Sequence, residues 1–210
     1  MALTPVTVAN NAGTATPMGA FQDAAGDNYP AVVLDNQRAT FRAAGVFTPY
    51  ATAALTLFQI QGSASKTVRI TRIGVAPTTA TTVASLSGYL ARTTGAGSGG
   101  TGVTPTIAKM DTASAAATAV VTHYTTAAQS VGAGSTVLSQ FVLGVPVVSV
   151  PTVSVLNQMQ MVFPECGAAI GQAIVLRGTS DYVCVVNTTP ANFANAVSMS
   201  YVIEWVEDAS

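Results

Sequence analysis

A chain of 210 residues, 49% of them hydrophobic and only 8% charged, is long enough to bury a core without metal or disulfide support. Its 8 basic and 9 acidic residues leave a net charge of −1, with no basic stripe and no charged tail, which argues against a nucleic-acid partner. Soluble domains carry about 25% charged residues, so an exterior this poor in ions is expected to be covered by other subunits of a large assembly.

Met1-Ala2-Leu3-Thr4-Pro5 has neither a basic region nor an apolar core, so no secretory signal is expected there. Residues 1–40 hold Asn10, Asn11, Gly13, Pro17, Gly19, Gly26, Asp27, Asn28 and Pro30 with short apolar pieces between them. They read as an extended N-terminal arm with one or two short strands, whose Val6, Val8, Phe21 and Tyr29 are candidate contact residues.

From there the text is β throughout. Strands are expected at 41–47, 55–61 (cleanly alternating) and 66–75. In the last, Val68 and Ile70 share one parity while Ile73 and Val75 take the other, which predicts a bulge or bend near Thr71 and Arg72. Further strands fit 83–92, 107–110, 117–124, 137–148, 158–163, 173–177, 182–186 and 197–206, with a glycine loop at 95–100. Alanines favour a helix over 111–119, but the threonines and serines around it turn the balance against one. The stretch 141–156 is apolar, yet it is shorter than the ~18–20 residues a membrane helix needs, and Pro146 and Pro151 interrupt it. No membrane association is expected. Residues 41–210 thus read as one antiparallel β-sandwich of jelly-roll type.

Motifs that carry chemistry are sparse. Gly95, Gly97 and Gly100 match a dinucleotide-binding spacing, but Thr104-Pro105 follows where that motif requires a helix. His123, the single histidine, lies in a predicted strand and reads as a structural residue rather than a catalytic base. One histidine and two cysteines cannot make a Cys/His zinc site, and Cys166 and Cys184 read as reduced thiols. Asp23 and Asp27-Asn28 lack calcium-loop spacing and suit turn capping. Glu204, between Ile203 and Trp205, is expected to face outward, which makes a glycosidase pair with Glu207 or Asp208 a poor fit. Asn187-Thr188-Thr189 matches a glycosylation sequon but, without a secretory route, is expected to mark a turn. No enzyme activity, cofactor or metal is expected. Lys66, Arg69 and Arg72 cluster on one predicted strand, with Arg38 and Arg42 upstream. Two readings stand open: protection of a sheet edge, or salt bridges to a neighbouring subunit.

The segment LFQIQGSASKTVRITRIGV at 57–75 resembles one common in virion proteins of tailed bacteriophages. Further matching pieces lie at 99–101, 109–111, 115–121, 174–180 and 201–207, so the resemblance covers residues 40 to 208 discontinuously. It implies a jelly-roll subunit of the phage particle, nearest to head decoration (cement) proteins. Such a protein is made in the host cytoplasm, forms a homo-oligomer such as a trimer, and sits on the major capsid protein at the capsid surface. The alternative is a tail or fibre subunit binding a host receptor such as a glycan, for which Tyr29, Tyr50, Tyr89 and Tyr182 are available.

Overall fold

The computed structural model describes residues 6–9, 15–18, 21–22, 28–29, 39–47, 55–80, 84–124, 129–145, 161–163, 173–188 and 197–209. It divides into a unit Met1–Arg38 and a body Ala39–Asp208. In the first unit, β1 (Val6–Ala9) pairs antiparallel with β2 (Ala15–Met18), and β3 (Phe21–Gln22) with β4 (Asn28–Tyr29). The sequence predicted one or two strands here; the structure forms four, each short.

The body holds β5 (Ala39–Phe47), β6 (Leu55–Gln61), β7 (Lys66–Ala80), β8 (Ala84–Thr93), β9 (Gly102–Val103), β10 (Ile107–Lys109), β11 (Val120–Tyr124), β12 (Gln129–Ser130), β13 (Thr136–Val145), β14 (Met161–Phe163), β15 (Ile174–Arg177), β16 (Tyr182–Asn187) and β17 (Val197–Ala209). No helix occurs among the described residues. A six-stranded sheet runs β10-β5-β17-β7-β14, with β15 also on β7. A seven-stranded sheet runs β13-β8-β16-β6-β11-β9, with β12 also on β6.

Set aside the short strands β9 to β12, and let β14 and β15, which lie end to end along β7, share one position. Eight positions then remain in chain order. The first sheet takes the first, eighth, third and sixth; the second takes the second, seventh, fourth and fifth. This is jelly-roll topology, in which the last of the eight positions lies inside a sheet rather than at its edge. The insertion between β8 and β13 continues both sheets: β10 lies against β5, while β11 and β12 lie along β6.

The core between the sheets is aromatic. Trp205 of β17 stands opposite Phe41 of β5 in register, and their rings stack at 5.7 Å. Phe58 of β6 stacks on Tyr201 of β17 at 4.5 Å, with Phe47 against both. Such pairs add roughly 0.5–1.5 kcal/mol each beyond the area they bury. Around them lie Leu57, Ile60, Val68, Ile70, Ile73 and Leu176, all fully buried.

The parity change in β7 is present: Val68 and Ile70 are buried, Thr71 and Arg72 are both half-exposed, and Ile73 and Val75 are buried again. The neighbouring strand changes at the same point, since β15 pairs residues 67–70 and β14 pairs 73–75. Predicted alternation in β6 gives way to burial on both faces. The pairing with β16 skips Leu57, so Leu57 and Phe58 both enter the core. On the outer side, a second cluster of Ala91, Tyr182, Cys184 and Val186, packed with Tyr89 and Val131, covers the sheet.

The alanine-rich stretch forms a turn and an irregular segment instead of a helix. Asp111 accepts from Ala113 N–H through its side chain (2.9 Å) and from Ser114 N–H through its carbonyl (3.1 Å). Lys109 Nζ donates to the carbonyls of Thr112 (3.0 Å) and Ser114 (2.7 Å). Local side-chain bonds of this kind compete with helix formation. The segment leading from this turn into β11 is anchored by Glu207, a buried carboxylate of β17. It accepts from Thr118 N–H at both oxygens (3.0 Å), Thr118 Oγ1 (2.7 Å), Ala119 N–H (2.9 Å) and Trp205 Nε1 (3.0 Å).

Glu207→Ala would leave those buried donors without an acceptor and is expected to cost about 2–4 kcal/mol. Glu207→Gln, which keeps one acceptor oxygen, should lose less. Urea unfolding of both variants checks the order.

Candidate interaction surface

Three of the arginines singled out in the sequence, Arg42, Arg69 and Arg72, gather on the outer face of the first sheet. Inward Phe41 and Ala43 turn Arg42 outward on β5; inward Ile203 and Trp205 do the same for Glu204 on β17. The parity change in β7 brings Arg72 to this face. Glu204 stands opposite Arg42 in register. Its Oε1 lies 3.6 Å from Arg42 Nε and 3.9 Å from Arg72 Nη1, so two guanidinium groups share one carboxylate oxygen at more than hydrogen-bond length. Arg69 donates to Asp208. In the second sheet, Arg92 Nη2 donates to Asp181 Oδ2 at 2.7 Å, and that oxygen also accepts from Arg177 N–H.

Neither β5 nor β7 is an edge strand, because each is paired on both sides. The edge-protection reading of Arg42, Lys66, Arg69 and Arg72 is therefore corrected. A single sequence does not reveal strand order, and β7 gains its second neighbour from residues far along the chain. The carboxylates that Arg42, Arg69 and Arg72 reach belong to the same chain. Lys66 opens β7 and is half-buried.

Val6 and Val8 lie in β1, opposite Met18 and Thr16. Phe21 and Tyr29 are register partners in the β3–β4 pair, so Tyr29 belongs to a strand rather than a loop tip. Arg38, Tyr50 and Cys166 lie outside the described residues.

Beside the ionic row, the same face opens into a groove of about 440 Å³. Ala44 and Val46 of β5, Gly74 and Ala76 of β7, and Ser200 and Val202 of β17 line it, with Arg42 at one end. Val202 and Ala76 are buried in its floor, while Val46 stands 57% exposed on its rim. The sequence reading missed this groove, although the parity of 42, 44 and 46 against 200, 202 and 204 was a usable signal once those strands were known to be neighbours.

His123 is buried on β11, its Nδ1 hydrogen-bonded to the Tyr201 hydroxyl across the sandwich at 2.9 Å. Burial lowers its pKa below the ordinary 6.5. A Cβ at Gly45 would stand 2.7 Å from Tyr201 Cε1 and 2.9 Å from its hydroxyl, so glycine there lets the ring reach His123. Cys184 is a buried free thiol within the outer cluster, beside Gln59 and Thr93, and desolvation pushes its pKa up to about 11. Asn187 marks no turn. It ends β16 fully buried, and its Oδ1 accepts the Leu55 N–H at 3.0 Å. Gly99 and Gly100 adopt positive φ (78° and 83°), and the strand β9 comes after them rather than a helix. No cluster of three metal-ligating side chains occurs among the described residues, and no helix there is long and apolar enough to cross a membrane.

Comparison of the chain with protein-family models, curated sequences and solved structures finds no match.

His123 and Glu204 each generate an expectation. Because the folded state resists protonation of His123, the unfolded state takes up more protons as pH falls through 6.5, and stability declines below that pH. Thermal melts from pH 7.5 to 5.5 should fall for the native chain and flatten for His123→Gln. Glu204→Gln, by contrast, should change stability by less than about 1 kcal/mol in urea titrations, since both of its ion pairs are long and partly in water.

Proposed function

We propose that this chain is a non-enzymatic structural subunit of a tailed-phage virion, a capsid decoration (cement) protein that reinforces the major capsid protein lattice. One observation carries the reading. Most of the body's described charges find partners within it, while large apolar side chains face solvent. Arg42, Arg69, Arg72 and Arg92 pair with Glu204, Asp208 and Asp181, Lys109 holds loop carbonyls, and Glu207 points inward. Val142 is 65% exposed, Val46 57%, Met110 54% and Val137 50%. An exterior of this kind gains by being covered.

Decoration works through area rather than chemistry. An interface of ~1,600 Å² at ~25 cal/mol per Å² of apolar surface is a large gross term before association costs are subtracted. Repetition over a lattice then multiplies weak contacts through effective concentration. The jelly roll supplies a stiff body, and the unit Met1–Arg38 supplies short strands suited to pairing with a neighbour. A structural role also accords with a histidine engaged by Tyr201 in the interior.

The receptor-binding alternative has less support. Tyr182 is buried and Tyr89 packs with it in the outer cluster, so neither forms a loop-tip aromatic platform.

Full-length protein added to purified, undecorated phage heads should saturate them at hundreds of copies per particle, counted by quantitative mass spectrometry. Deleting residues 1–35, which leaves both sheets of the body intact, should abolish that occupancy. A handful of copies per virion would instead place the protein on the tail.

A further inference from the structure

The groove beside Arg42 joins a floor of small side chains to an incompletely neutralised cation. Its floor and rim are apolar or small: Ala44, Val46, Gly74, Ala76, Ser200 and Val202. At its end two arginines share one carboxylate oxygen at 3.6 and 3.9 Å, which leaves an excess of one positive charge and most of the guanidinium N–H donors free for a second carboxylate. Arg42 is the more open of the two, with 48% of its side chain exposed. A segment that fits is extended and apolar, with one carboxylate at its end.

The chain carries such a segment at Ala31-Val32-Val33-Leu34-Asp35. Charge is complementary too. Of the chain's 9 acidic and 8 basic residues, Asp23, Asp27, Asp35 and Arg38 fall in residues 1–38, so that part is two charges negative and the remainder one positive. We propose that the groove receives residues 31–35 of a second copy of this chain, with Asp35 held bidentate by Arg42 and the apolar run laid over Ala44, Val46, Ala76 and Val202. A backbone segment crossing small side chains approaches the sheet closely, and the single ion pair fixes its direction and register. The contact concerns two copies in free solution and stands apart from the capsid reading.

The test is a charge swap in the full-length protein, read by sedimentation equilibrium without phage shells present. The native chain should self-associate. Asp35→Arg, which changes no residue of the body, and Arg42→Glu should each weaken association about tenfold or more, and combining them should restore most of the loss. Circular dichroism melts of Arg42→Glu separate an unfolded variant from an unpaired one, and Asp35→Arg keeps the test decisive if Arg42→Glu fails to fold. A monomeric native chain, native-like association of either folded single variant, or no recovery in the double variant would overturn the proposal. If Arg42→Glu weakens association while Asp35→Arg does not, another segment fills the groove, and the proposal equally falls. Loss of self-association with normal occupancy of phage heads would separate this contact from the one made to the lattice.

Discussion

The structure depends on β17 lying between β5 and β7. Its inward side chains are Met199, Tyr201, Ile203, Trp205 and Glu207, and each closes a different part of the body. Trp205 stacks on Phe41, Tyr201 stacks on Phe58 and bonds His123, and Glu207 holds the insertion at Thr118 and Ala119. The first sheet cannot be completed until the last described strand of the body arrives beside the first. Jelly-roll topology makes this contact non-local, so the entropy of closing a long loop is lost before the aromatic stacks offset it. Slow folding is the expected kinetic consequence, and the two apolar faces stay uncovered meanwhile.

That arrangement also governs what the exterior can offer. With β17 central, Glu204 falls between Arg42 and Arg72, and Asp208 meets Arg69. A chain with few ions thereby uses most of those in the body to bind its own strands together. Among the large apolar side chains left facing outward are Val46 on the first sheet and Val137, Leu138 and Val142 on β13. Surface ion pairs contribute little stability individually, so their larger effect here is to fix which side chains remain unpaired. The groove beside Arg42 is one product of that pairing.

Much of the β pattern was legible because alternation and turn residues act locally. The bounds of β6 coincide with the predicted 55–61, and the parity change in β7 was readable from Val68, Ile70, Ile73 and Val75. Other readings failed where a distant partner decided the outcome. Asn187 looked like a turn residue, yet it is buried because the N–H of Leu55 needs its side-chain oxygen. The clean alternation read in 55–61 gives way to burial on both faces, because Val131 and the Tyr182–Cys184 cluster cover the sheet there. The two-residue strands β9 and β12 carry no periodic signal and exist only because β11 and β6 present partners to them.

By itself, then, the sequence determined that this is an antiparallel β-sandwich poor in charge, because side-chain periodicity and ionic content are properties of neighbouring residues and of totals. Strand order lay beyond it, since pairing joins residues separated by most of the chain. Only the tertiary structure decided that β5 and β7 flank β17, that Arg42, Arg69, Arg72 and Arg92 meet carboxylates of the same chain, and that small residues from three strands meet in one groove. The physical reason is common to all three: a side chain's exposure and ionic partner depend on what packs beside its strand, and that neighbour is chosen by the fold as a whole.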